Sequence, residues 1–326
     1  MPFSTLTGNE RIKVLLKRAV SEDRIAQSLI FAGSQGVGKR QFALALSEAV
    51  NCEQPADGDS CGECISCRRI IAGEHLDLRT YSPEGQFIKI DAMRGLALEA
   101  QFRPFIGRRR VFIVDEADRL KVEAANAILK ILEEPPPTSL ILLISSRPYA
   151  LLDTIRSRCQ MLSFAPLAAD ALETFLKGRY KRPAEEIRLL ARLARGSIGR
   201  AIEIDLGQYR SQRAKMVELV EASLVNHDTV RMLQTAEYLG KKLERDDFTA
   251  HMDTLLIILS DIFYLKLDEP QDRLTNVDDL GRLGQIADRV TVDQITVLAD
   301  KIETLLMALP RNVNRQLATE SMLVSL

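Results

Sequence analysis

The chain has 326 residues, enough for two or three domains and a sizeable buried core. Hydrophobic residues make up 46% and charged residues 27%, the balance of an ordinary globular protein, which excludes wholesale disorder. Lys+Arg number 44 against 45 Asp+Glu, a net charge of -1, which excludes a generally basic, histone-like binder and confines any nucleic-acid contact to a local patch.

The opening residues lack the charged-then-apolar pattern of a secretory signal, and apolar runs such as Leu255 to Leu259 fall short of a bilayer span. A cytoplasmic protein without membrane contact is expected. Glu10 to Val20 carries Ile12, Leu15, Leu16 and Val20 near helical period, which predicts an amphipathic helix. Ser28 to Ala32 then reads as a short buried strand feeding Gly33-Ser34-Gln35-Gly36-Val37-Gly38-Lys39, with helix formers from Gln41 to Val50.

Strand, Gly-rich loop and helix in that order form a phosphate-binding loop. Gly33, Gly36 and Gly38 let successive N–H groups wrap phosphate oxygens, and Lys39 reaches the outer phosphates. Arg40 stands where a Ser/Thr hydroxyl would hold magnesium, and arginine cannot ligate a cation. By itself this near-match is equally a ligand-free turn. A second element supports the loop reading: Val111 to Val114 is a strand-length apolar run ending in Asp115-Glu116, an acidic pair that can hold magnesium and polarise water.

Cys52, Cys61, Cys64 and Cys67 form C-x8-C-x2-C-x2-C, with Gly58 and Gly62 supplying turns that let four thiolates converge. In a reducing compartment this spacing favours structural zinc over buried free thiols or a redox pair. Cys159 stands alone and reads as a small buried residue. A helix is predicted from about Lys121 to Glu134, stopped by Pro135-Pro136-Pro137, and Leu140 to Ile144 is a further apolar strand. Strands alternating with helices predict a doubly wound α/β sheet; beyond Pro166 helical patterns take over.

The phosphate loop, the four-cysteine insertion after its helix, the acidic strand end, Asn126 to Pro136 and Ser157-Arg158-Cys159 together resemble bacterial clamp-loader subunits, the gamma/tau and delta-prime group of AAA+ proteins. Ser197-Ile198-Gly199-Arg200-Ala201 resembles the group's second sensor region, and Asn312-Val313-Asn314 with Leu317 its C-terminal helix. The resemblance implies an AAA+ (RecA-like) P-loop domain over 1–166 with a zinc module at 52–67, a small helical lid over 167–207 and an all-α collar over 208–326. Missing the hydroxyl at position 40, carrying its sensor arginine at Arg200 rather than one place earlier, and ending at Leu326, the chain lies nearer the delta-prime branch than the motor branch.

The resemblance implies that Arg158 acts in trans on the γ-phosphate of a neighbouring subunit, with Arg156 as fallback; from the residues alone Arg158 reads as a helix-end surface residue. It also implies partnership with gamma/tau, delta, the sliding clamp and primed DNA inside the polymerase holoenzyme. Intact Lys39, Asp115 and Glu116 keep ATP/Mg2+ binding open, although Arg40 argues against turnover. Arg108-Arg109-Arg110 is either a solvated turn or a contact to DNA phosphates. Three rivals are a gamma/tau-type ATPase, a zinc-bearing nucleotide kinase and a DNA-binding zinc protein. Cysteine spacing disfavours the second, and few basic residues near Cys61 to Cys67 disfavour the third.

Overall fold

The computed structural model of the chain describes residues 1–309 and 313–324, so Asn312 lies outside the described residues. The chain divides into two compact units, Met1–Arg179 with Ala194–Ile202, and Tyr180–Leu193 with Glu203–Leu326.

In the first unit the order is α1 (Glu10–Ser21), β1 (Ser28–Ala32), α2 (Lys39–Asn51), α3 (Ile65–Ala72), β2 (Leu78–Tyr81) and α4 (Ile90–Glu99). There follow β3 (Arg110–Val114), α5 (Val122–Glu133), β4 (Ser139–Ser145), α6 (Asp153–Arg156), β5 (Gln160–Ser163) and α7 (Ala169–Arg179). The five strands form one sheet in the order β2-β3-β4-β1-β5, and every pairing is parallel. Strands β1, β3 and β4 are buried along their whole length, as strands covered on both faces must be.

Alternate strand residues serve opposite faces. Phe31, Ile113 and Leu142 pack with Leu16, Phe42 and Leu46, whereas Ile30, Phe112 and Ile141 pack with Met93, Leu96 and Ile128. The result is a three-layer α/β/α unit whose strand C-terminal ends carry the phosphate loop after β1 and Asp115 after β3.

The second unit is helical: α8 (Ala184–Leu193), α10 (Leu206–Val220), α11 (Thr229–Glu237), α12 (Arg245–Lys266), α13 (Leu280–Arg289), α14 (Val292–Ala308) and α15 (Arg315–Val324), whereas α9 (Ile198–Glu203) belongs, all but its last residue, to the first unit. Helix α12 is long and apolar enough by composition to cross a membrane, which the short apolar runs did not suggest. It is instead the core helix here, because Phe248, Met252, Leu255, Ile258 and Ile262 are all fully buried against neighbouring helices. Buried Asp261 on α12 accepts N–H groups from Thr275 (2.7 Å) and Asn276 (2.8 Å), which fastens the loop before α13.

Candidate nucleotide cleft, cysteine centre and arginine turn

Helix α2 begins at Lys39, so its free N–H groups and the glycines before it face the same space. The Lys39 ammonium donates to the carbonyls of Gly33 (2.5 Å) and Ser34 (2.7 Å). Burial pulls its pKa down, opposed by the carboxylates of Asp115 and Asp118. Gly36 has φ +76°, and a Cβ there would sit 2.2 Å from Ser197 Oγ. Its carbonyl accepts the N–H of Gly199 at 3.0 Å, so the loop backbone lies directly against residues 197–200. Arg200 itself is exposed on α9, and its N–H donates to Ser197 Oγ at 3.1 Å.

Arg40 occupies the first turn of α2, and its Nε lies 3.8 Å from Asp115 Oδ2. Glu116, with a left-handed backbone (φ +49°), is paired with Arg119 at 2.8 Å. Both acidic groups expected to manage magnesium and water therefore already face arginines. Asp118 escaped sequence reasoning because an acidic residue in a turn carries no signal of burial. Its carboxylate accepts from Ser145 Oγ (2.9 Å), Ser146 N–H (3.2 Å) and Arg147 Nε (3.0 Å). Burial pushes its pKa up, but these hydrogen bonds outweigh that and hold it below the ordinary value.

A cleft of 590 Å³ opens beside Gly36 and Gly38. Leu6, Phe42, Phe175 and Ile198 give it an apolar wall, and Pro2 and Thr5 of the N-terminal segment close another side. A polar phosphate end joined to an apolar chamber of this size suits a nucleotide.

At the other end of α2, Cys52 follows the last helical residue. The sulfur atoms of Cys52, Cys61, Cys64 and Cys67 all lie within 4.8 Å of one another. A tetrahedral zinc with bonds of about 2.3 Å requires sulfurs about 3.8 Å apart, so the four fit a closed structural site. Backbone N–H groups of Cys61, Cys64 and Cys67 donate to Cys52, Cys61 and Cys64 sulfurs at 3.3, 3.3 and 3.4 Å, favouring thiolates. N–H groups of Glu63 and Cys64 lower the Cys61 thiol to about 7, while burial pushes Cys52 and Cys67 up. Gly58 (φ +73°) is required, since a Cβ there would meet the Lys17 carbonyl oxygen at 1.9 Å. Asp59 of the same loop accepts the N–H groups of Phe3 (2.8 Å) and Ser4 (3.0 Å), so the cysteine module also holds the N-terminal segment.

Arg158 lies far along the chain, in the turn after α6. Its guanidinium donates to Glu133 Oε2 (3.2 Å) and the Thr154 carbonyl (3.1 Å), and its side chain is 31% exposed. Arg156 is paired with Asp153 and lies over the Tyr149 ring. The triple arginine does not act as one patch. Arg110 is buried against Glu99 (3.1 Å), Arg109 pairs with Asp23 (2.7 Å), and only Arg108 is exposed. Cys159 is buried, and burial pushes its thiol up to about 12, as fits an inert packing residue.

Fold and site together define a P-loop-type α/β protein with a four-cysteine centre and a helical C-terminal unit. Residues 8–168 match the family described as DNA polymerase III, delta subunit, and residues 211–326 match its C-terminal counterpart. A delta-prime subunit of DNA polymerase III from Bacillus subtilis is 30% identical over 287 residues, covering 88% of this chain and 86% of that one. Its Escherichia coli namesake is 28% identical over 91% of this chain and 87% of its own. The tau subunit from Escherichia coli is 33% identical, over 62% of this chain and 32% of its own length. The chain belongs to the DNA polymerase III delta-prime family.

Proposed function

We propose that the chain is a stationary subunit of a DNA polymerase III clamp loader, holding nucleotide without cleaving it and assisting cleavage on a neighbour. The observation that supports this reading is the Arg40–Asp115 pair, a guanidinium 3.8 Å from the carboxylate that a motor subunit would use for magnesium. In this reading, without the metal and with Glu116 paired to Arg119, neither acidic group at the end of β3 is left to polarise an attacking water.

In this reading residues 167–207 form the lid and 208–326 the collar shared with gamma/tau and delta, around primed DNA and beside the sliding clamp. Arg158 exchanges Glu133, an anion, for the γ-phosphate of the adjacent subunit, where its planar fork stabilises the charge of the transition state. Arg200 is the sensor arginine of this reading, but it stands exposed on α9 and not among the residues that line the cleft. Zinc at Cys52, Cys61, Cys64 and Cys67 is structural and takes no part in the reaction.

The test has two arms. The purified chain with magnesium and primed DNA should turn over ATP no faster than its Lys39→Ala variant. In a complex reconstituted with gamma/tau and delta, Arg158→Ala should lower turnover on the order of 10³-fold at one site. Robust turnover by the isolated chain, lost on Lys39→Ala, would instead support a gamma/tau-type ATPase, a reading favoured by the intact Lys39 and the tau similarity.

A further inference from the structure

The magnesium position of this phosphate loop does not fit magnesium. A six-coordinate Mg2+ needs oxygen ligands at about 2.0–2.1 Å. Residue 40 offers five N–H donors and no acceptor, and its positive charge already stands 3.8 Å from Asp115. A divalent ion entering between the phosphates and Asp115 would face that charge directly.

The geometry points to a nucleotide site in which Arg40 replaces the metal, so that a nucleoside diphosphate or triphosphate binds without a divalent cation. The inference rests on the reading that the cleft holds nucleotide. Three observations support it. Gly36 and Gly38 line the cleft and Lys39 is held against the loop by the Gly33 and Ser34 carbonyls, so the parts of a phosphate cradle are in place without the metal. The Arg40 side chain is 60% exposed, and a separation of 3.8 Å from Asp115 is a loose tether. From the first turn of α2 the guanidinium can therefore fork onto the terminal phosphate of a bound nucleotide while staying beside Asp115. A guanidinium matches two phosphate oxygens at once, whereas magnesium would need the hydroxyl that is missing.

The test is a titration of the full chain with N-methylanthraniloyl-ADP in resin-depleted buffer, with and without added Mg2+. No chelator is added, so the cysteine centre keeps its metal. Unlabelled ADP and Lys39→Ala identify the cleft as the site. The wild-type Kd should agree within about threefold between the two buffers, whereas Arg40→Ser should bind about tenfold or more tightly with Mg2+ than without. With Mn2+ as the probe, electron paramagnetic resonance should show a protein-bound Mn2+–ADP signal for Arg40→Ser and none for wild type. Wild-type binding that needs Mg2+ by tenfold or more would overturn the inference and leave the nucleotide cleft standing. Metal-free binding that survives unchanged in Arg40→Ser would also overturn it, because another group would then be the substitute. No binding in either buffer would remove the cleft reading and the inference together.

Discussion

The two ends of α2 carry the two recognisable sites of the chain, and they respond differently to change. At the N-terminal end the phosphate loop is built from backbone, with Gly33, Gly36 and Gly38 leading into Lys39. Losing the hydroxyl at position 40 leaves that loop standing, because no loop geometry depends on it. At the C-terminal end the site is built from side chains. Cys52, Cys61, Cys64 and Cys67 could each supply one quarter of a ligand shell, and losing any one would open it. A backbone site degrades one function at a time; a ligand site fails as a whole.

The sharpest way to separate the two ends is to remove the metal. Chelation, or Cys67→Ala, should unfold residues 52–67 with a loss on the order of 10 kcal/mol of local stability. Hydrogen exchange should show it as lost protection in that segment and at the Phe3 and Ser4 amides, which Asp59 holds. Unchanged protection after the metal has been shown to leave would mean that the thiols pack without it.

At the other end, Gly36→Ala forces a Cβ into Ser197 Oγ at a left-handed φ. The expected cost is about 2–3 kcal/mol in denaturant midpoint stability, with nucleotide affinity reduced as well. A neutral Gly36→Ala would show that residues 197–200 move aside freely.

The smallest effect concerns Asp118, which braces the strand ends next to Lys39. Its pKa is held below the ordinary 3.8, so it contributes stability above that value and loses it as pH falls through the depressed one. Asp118→Ala should cost about 2 kcal/mol at pH 7, and that difference should shrink as pH drops below 4. A difference constant with pH would assign the effect to packing rather than to the carboxylate.

Much of this was legible in the sequence, for identifiable reasons. Strands β1, β3 and β4 are central, so their apolar runs are unbroken and were read to within a residue at either end. Strands β2 and β5 are edges, and Leu78-Arg79-Thr80-Tyr81 and Gln160-Met161-Leu162-Ser163 mix polar with apolar residues over only four positions. Nothing in such short segments marks a strand before the sheet exists. The cysteine cluster was legible because its spacing is local.

Contacts between distant backbone and side chain were not legible. Asp77 accepts the N–H groups of Phe105, Ile106 and Gly107, and Asn51 accepts those of Arg108 and Arg109, fixing the turn before β3. That anchoring aims Arg110 inward and breaks up what looked like a basic patch. The pairing of Arg40 with Asp115 was hidden for the same reason, since 75 residues separate them and the ends of β1 and β3 lie on one edge of the sheet with β4 between them.

The Gly36–Gly199 hydrogen bond carries a lesson about reading such loops. Gly36 belongs to the loop proposed to cradle phosphate, and its carbonyl and bare α-carbon also form the seat for another stretch of chain. Glycine is required for the seat whether or not a phosphate ever arrives. Such a loop can therefore lack the hydroxyl at position 40 and still require glycine at position 36, because the packing of residues 197–200 enforces it. In this chain the glycine at position 36 certifies a fold before it certifies a ligand.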